Sequence, residues 1–323
     1  MNEVVLLILF NHKYESNLER LRQIYVDRFS NVYFIMPFYT GVDKDVICVY
    51  GNSFFFQSYI AQALQRIKKD EFKHYIIIGD DLLLNPAINE KNYQSEFNLG
   101  IDTGFIPEIF MLGNYKEKPR LMMSGFDKWV WNYNALSFNY KNQSGIEVEK
   151  ELPTEEEALK AIASHGYSFN PLLNKNQFID SAPQVRNIFQ MKNIFANVRI
   201  IMFWLKNYIN FSLKNKRTLK YPMVGSYSDI VIIPAASVSF FTHFIGVFGA
   251  LNLFVEIAIP TALMLSTKDI TQEKDLRKKG NTFWGNEEFQ AIKDKYNSNL
   301  ENLFTHFPDD VLYIHPVKLS QWK

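Results

Sequence analysis

Two adjacent carboxylates, Asp80 and Asp81, follow directly on the run His74-Tyr75-Ile76-Ile77-Ile78-Gly79. Leu82-Leu83-Leu84 and the turn pair Asn85-Pro86 come after them. An aromatic followed by three β-branched residues reads as a buried strand of a parallel sheet. Carboxylates are costly to bury, so the pair belongs at the strand's carboxyl end, facing the cleft where α/β sheets bind ligands. There it either holds a hard divalent cation, which prefers oxygen ligands and is often shared with phosphates, or makes a polar turn that merely follows a strand. Downstream, Asp229 enters the run Ile230-Val231-Ile232-Ile233-Pro234, the first arrangement in reverse. Glu256 lies between Leu253-Phe254-Val255 and Ile257-Ala258-Ile259, where desolvation would raise its pKa toward that of a general base unless an Arg or Lys pairs with it. Last, Val311-Leu312-Tyr313-Ile314 reads as a short strand that delivers His315, with Lys318 close behind.

The elements that must carry these residues are legible in part. Val4 to Phe10 reads as a first core strand, with Asn11-His12-Lys13 as the loop at its carboxyl end. Leu18, Leu21, Ile24 and Tyr25 recur at helical spacing and predict a covering helix over 15–28. Val32 to Met36 and Asp45 to Tyr50 are further strands, the latter followed by Gly51-Asn52-Ser53. A helix over 55–69 presents Tyr59, Ile60, Ala63, Leu64 and Ile67 on one face. This order predicts an α/β fold, a mostly parallel Rossmann-type sheet flanked by helices. With no Gly-x-Gly-x-x-Gly and no Walker loop, phosphates would be held by a metal or by side chains.

Residues 87–120 read as irregular, and Trp129, Trp131 and Tyr133 either stack on a sugar or pack in the core. Thr154 caps a helix that runs to Ser164. Residues 235–265 predict one long core helix, 268–280 an exposed charged stretch, and 287–304 another helix. The expected organisation is an α/β half over 1–150, a helical, basic insertion over 151–222 and a second half over 223–323, within one compact domain.

Composition narrows the function classes. A chain of 323 residues that is 47% apolar is not disordered, and a net charge of +1 argues against a general nucleic-acid binder. The single cysteine, Cys48, excludes a disulfide framework within the chain. The first residues lack the cationic start of a signal peptide, so a cytoplasmic location is expected. From Ser181 to Ser228 there is no Asp or Glu, while Arg186, Lys192, Arg199, Lys206, Lys214, Lys216, Arg217 and Lys220 alternate with apolar residues. Such a segment either lies on an anionic membrane surface, which would place the protein peripherally on the inner face, or packs with a solvated basic rim.

An apolar strand ending in paired Asp, an acid on a later apolar helix and a late His followed by Lys together resemble the GT-A-fold nucleotide-sugar glycosyltransferases of bacterial surface polysaccharide biosynthesis. That resemblance implies a metal-dependent transfer of a hexose from a UDP-sugar donor to a lipid-linked bacterial surface glycan acceptor. Asp81 falls at the position that coordinates Mn2+ or Mg2+ in the family's Asp-x-Asp pattern, Asp80 supports it, and Gly79 replaces the first acid. His315 matches a late metal-ligating histidine and Lys318 a diphosphate contact. His12, Tyr50 and Ser53 fall where such enzymes hold nucleobase and ribose. Glu256 or Asp229 would be the base if configuration is inverted. Two alternatives stand beside this reading. One is a nucleotidyltransferase, although Asn11-His12-Lys13-Tyr14 lacks that class's glycine- and basic-rich loop. The other is a scaffold that keeps the fold without the chemistry.

Overall fold

Uninterrupted apolar runs become the centre of one sheet. In a computed structural model of the chain, the structure describes residues 3–67, 71–111, 147–169, 221–283 and 285–323, with Val198, Met202 and Leu205 as single helical positions. Strands β1 (Val4–Leu9), β2 (Val32–Pro37), β3 (Val46–Val49) and β4 (His74–Gly79) pair in parallel, in the order β3-β2-β1-β4. Beyond β4 lie β9 (Ile230–Pro234), β6 (Thr103–Phe105) and β10 (Asp269–Thr271), which complete a seven-stranded sheet. Only β9 runs against the others. Strands from the first and last thirds of the chain therefore share this sheet.

Both faces are covered, which is why the central strands are apolar at every position rather than at alternate ones. Val4, Leu6 and Ile8 point into one core, with Leu18, Leu21 and Tyr25 of α1 (Leu18–Tyr25). Val5, Leu7 and Leu9 point into the other, packed under α2 (Phe56–Ile67), α5 (Val238–Ala250) and α6 (Val255–Ser266). Shorter helices are α3 (Tyr93–Glu96) and α4 (Glu155–Ser164), the latter with the capping box Thr154–Glu157. A small second sheet joins β5 (Leu83–Leu84), β12 (Val311–His315) and β11 (Lys279–Thr282), with β12 antiparallel to β5. Strands β7 (Phe110–Met111) and β8 (Val224–Gly225) form a two-stranded pair.

Several expectations are corrected. The apolar run over 235–265 is two helices, not one: Asn252 takes a left-handed conformation (φ 54°) in the turn between α5 and α6, which Asn tolerates better than most residues. The helix expected over 287–304 divides likewise into α7 (Asn286–Lys295) and α8 (Leu300–Thr305), with Asn297 and Ser298 at positive φ between them. The stretch read as irregular contains α3, β6 and β7, and the charged stretch over 268–280 supplies the edge strand β10 and the start of β11. Trp129, Trp131, Tyr133 and nearly all of 181–220 lie outside the described residues. Among the described residues no helix is long and apolar enough to cross a membrane.

Candidate active site

A parallel strand that ends and an antiparallel neighbour that begins meet at the same sheet edge. The acids after β4 and the acid before β9 are therefore brought together by topology. Gly79 N donates to the Asp229 carbonyl at 3.0 Å, and Asp80 N donates to Leu9 O at 2.8 Å, which fixes the backbone of both acidic turns. The chain then returns from far downstream. Strand β12 pairs with β5 just past the acids, and Val317 N donates to the Asp81 carbonyl at 2.6 Å. His315 is thereby set over the edge, its Nε2 3.4 Å from Asp81 Oδ1 and 3.7 Å from Asp229 Oδ1.

Glu256 reaches the same place by a local device. Pro260, four residues later, has no N–H to give the Glu256 carbonyl, so that oxygen is left open inside α6. Ser226 N takes it at 3.0 Å. The loop that carries Asp229 is thus hydrogen-bonded to the turn that carries Glu256.

Burial dominates the electrostatics, and the crowding of carboxylates adds to it. Burial, then the neighbouring Asp81 charge, pushes Asp80 up to about 7, against smaller opposing effects of Asn11 and Asn17. Burial and the Asp229 charge push Glu256 up to about 8. Asp229 is also raised, chiefly because protein surrounds it, although 34% of its side chain stays open to the cleft. For His315 burial acts downward, but the hydrogen bond to Asp81 and the charges of Asp229, Asp81 and Asp80 prevail and raise it. Its Nδ1 is buried without a hydrogen-bond partner.

The remaining expected residues are spread along the same edge. His12, exposed in the loop after β1, stacks obliquely on Tyr14 with centroids 5.7 Å apart. Tyr50 is 63% exposed after β3, its ring edge-on to Phe38. Ser53 opens a 3-10 turn capped by the Asn52 side chain. None of the three makes a hydrogen bond or ion pair with the acids among the described residues. Lys318 is likewise apart from them: its ammonium lies 5.6 Å above the Phe289 ring. Sequence reasoning did not single out Ser226, and it took Pro260 only as an interruption of the apolar run over 235–265. Pro260 had a readable signal, a proline four residues after a helical acid.

What the cluster can hold follows from its donors. Oxygen atoms of Asp81 and Asp229 with one imidazole nitrogen suit a hard or borderline divalent ion. Among the described residues no three His, Cys, Asp or Glu side chains form a ready metal centre. The Asp81 charge nevertheless raises Asp80 and Asp229, the Asp229 charge raises Glu256, and among the described residues no Lys or Arg pairs with any of them, a repulsion that a bound cation would relieve, so the residues fit such an ion. Fold and edge together define a Rossmann-like α/β protein with an acid-and-histidine cleft at the carboxyl ends of its strands. Comparison with known proteins finds no family model, no curated protein and no solved structure that matches this chain.

Proposed function

We propose that this chain is a metal-dependent glycosyltransferase that moves a hexose from a UDP-sugar to a lipid-linked bacterial surface glycan. The observation that supports it most is the approach of His315 to both Asp81 and Asp229, from three separate elements. Mn2+ or Mg2+, when bound, supplies the charge that neutralises the departing diphosphate. Asp81, Asp229 and His315 would hold it, and Asp80 would brace Asp81 from the β1 side. Asp229, drawn to His315, is then taken up as a ligand, which leaves Glu256 as the base for the acceptor hydroxyl. A carboxylate held near neutral pH by its surroundings is suited to that proton transfer. His12, Tyr50 and Ser53 line the edge on which the nucleoside would lie, and Lys318 would have to leave Phe289 to reach a phosphate. The basic stretch over 181–228 would hold the enzyme on the anionic inner membrane face.

The test is release of UDP from UDP-sugars by the purified protein with Mn2+, which is expected to be slow but measurable even without acceptor. Asp81→Ala should abolish it. The reading fails if UDP-sugars neither bind nor hydrolyse and Asp81→Ala changes nothing. A UDP affinity that is indifferent to Mn2+ would favour the scaffold.

A further inference from the structure

We infer that helix α1 sets the separation between the acid pair and His315, with Arg20 as the positioning residue. The inference rests on the cation-binding reading of Asp81 and His315 and goes beyond it to a part of the molecule outside the cleft. Tyr25 of α1 is fully buried, and its hydroxyl donates to Leu82 O and accepts from Leu84 N, each at 3.2 Å, directly after the acid pair. Arg20 lies in the same helix. Its Nη1 donates to both Leu319 O and Trp322 O, each at 2.7 Å. One short helix therefore holds the chain just after the acids with one side chain and the segment that follows His315 with another.

Other features of that segment leave the task to Arg20. Leu319 and Trp322 are buried, yet the Trp322 indole N–H has no hydrogen-bond partner. Arg20 makes no ion pair among the described residues, so its charge is not engaged elsewhere. A guanidinium bond to a neutral carbonyl is charge-assisted and stronger than the amide bonds beside it. Other ties, Lys323 N to Ser298 O, Leu300 N to Lys323 O and Lys293 Nζ to Gln321 Oε1 at 3.3 Å, attach the segment to α7 and the turn before α8 rather than to the acids. Val317 N to Asp81 O, at 2.6 Å, is the direct tie, beside the β12–β5 pairing that carries His315.

The experiment compares the full-length protein with Arg20→Ala, Arg20→Lys, His315→Ala and the Arg20→Ala/His315→Ala double variant. Mn2+ affinity is read by titration calorimetry, UDP affinity with and without Mn2+, and folding by thermal melting. Arg20→Ala is expected to weaken Mn2+ binding about tenfold, the size of effect seen when a group that orients a ligand is lost. UDP affinity in chelator should stay within about twofold, and Arg20→Lys should recover part of the loss. In the double variant the loss should be no greater than in His315→Ala alone, since both act through one histidine. Wild-type Mn2+ affinity in Arg20→Ala, an equal loss of metal-free UDP binding, or independent multiplication of the two losses would each overturn the inference. If Arg20→Ala does not fold, Arg20→Lys is judged by the same criteria. Absence of Mn2+ binding in the parent protein would instead bring down the proposed function, and this inference with it.

Discussion

At the scale of single residues, Gly79 shows how closely the acids are set. It lies directly before the acid pair, and a Cβ there would lie 3.1 Å from Asp81 Oδ1. A side chain at 79 therefore pushes the carboxylate that faces His315 aside by a few tenths of an ångström. Gly79→Ala is therefore expected to leave the melting temperature nearly unchanged and to lower Mn2+-stimulated UDP release by on the order of tenfold, since sub-ångström misplacement of a catalytic group is expensive. Glu256 gives a second prediction, from its pKa of about 8. The folded protein holds this proton more tightly than the unfolded chain does. Its contribution to stability is therefore complete below about pH 4 and lost as the pH rises through about 8. Glu256→Gln removes that dependence. In metal-free buffer the variant should gain on the parent as pH rises, by on the order of 4 kcal/mol between pH 5 and pH 9. Melting curves at pH 5 and pH 9 check it, and a constant difference between the two proteins would contradict the placement of Glu256.

At the scale of elements, α6 sacrifices regularity to hold a loop. Pro260→Ala would restore an N–H able to compete with Ser226 for the Glu256 carbonyl. Ala also favours a helix interior over Pro by about 3 kcal/mol in model systems. We expect the variant to melt higher and turn over more slowly, by roughly tenfold, as the Asp229 loop loosens. A variant both more stable and fully active would show that the seam has no part in the chemistry. The same elements show what a sequence can disclose. Strands β1, β4 and β9 were legible because full burial on two faces leaves an unbroken apolar run. The reversal of the acid relative to β9 was legible too, and it places Asp229 beside Gly79. Strands β6 and β10, of three residues each, are too short to display a period. The breaks at Asn252 and at Asn297-Ser298 depend on left-handed residues inside runs that otherwise keep a helical pattern. His315 was readable as a late histidine, but its approach to Asp81 depends on β12 pairing with β5, a long-range contact that no local pattern announces.

At the scale of the whole molecule, charge is distributed unevenly although its net value is small. Asp80, Asp81, Asp229 and Glu256 gather in the cleft, while every charged residue of 181–228 is basic. Within that stretch Val198, Met202 and Leu205 are helical and exposed, at 52%, 62% and 38%. Positions four and then three residues apart share one face of any helix, and Arg199 and Lys206 are next to them in sequence. An exposed apolar stripe beside basic residues is the pattern of a helix lying in a lipid interface, where each nearby Lys or Arg adds about 1 kcal/mol of attraction to an anionic surface. The protein is expected to float with vesicles containing anionic phospholipid, to float poorly with purely zwitterionic ones, and to be released as salt shortens the range of the attraction. Removing residues 190–220 should abolish flotation. Val198→Ser with Met202→Ser, which leaves every charge in place, should weaken it by on the order of tenfold. Equal flotation by the parent and the deletion protein would assign that stretch to packing within the molecule. Salt-sensitive flotation that ignores the two serines would assign the attraction to charge alone, with the apolar stripe outside the bilayer.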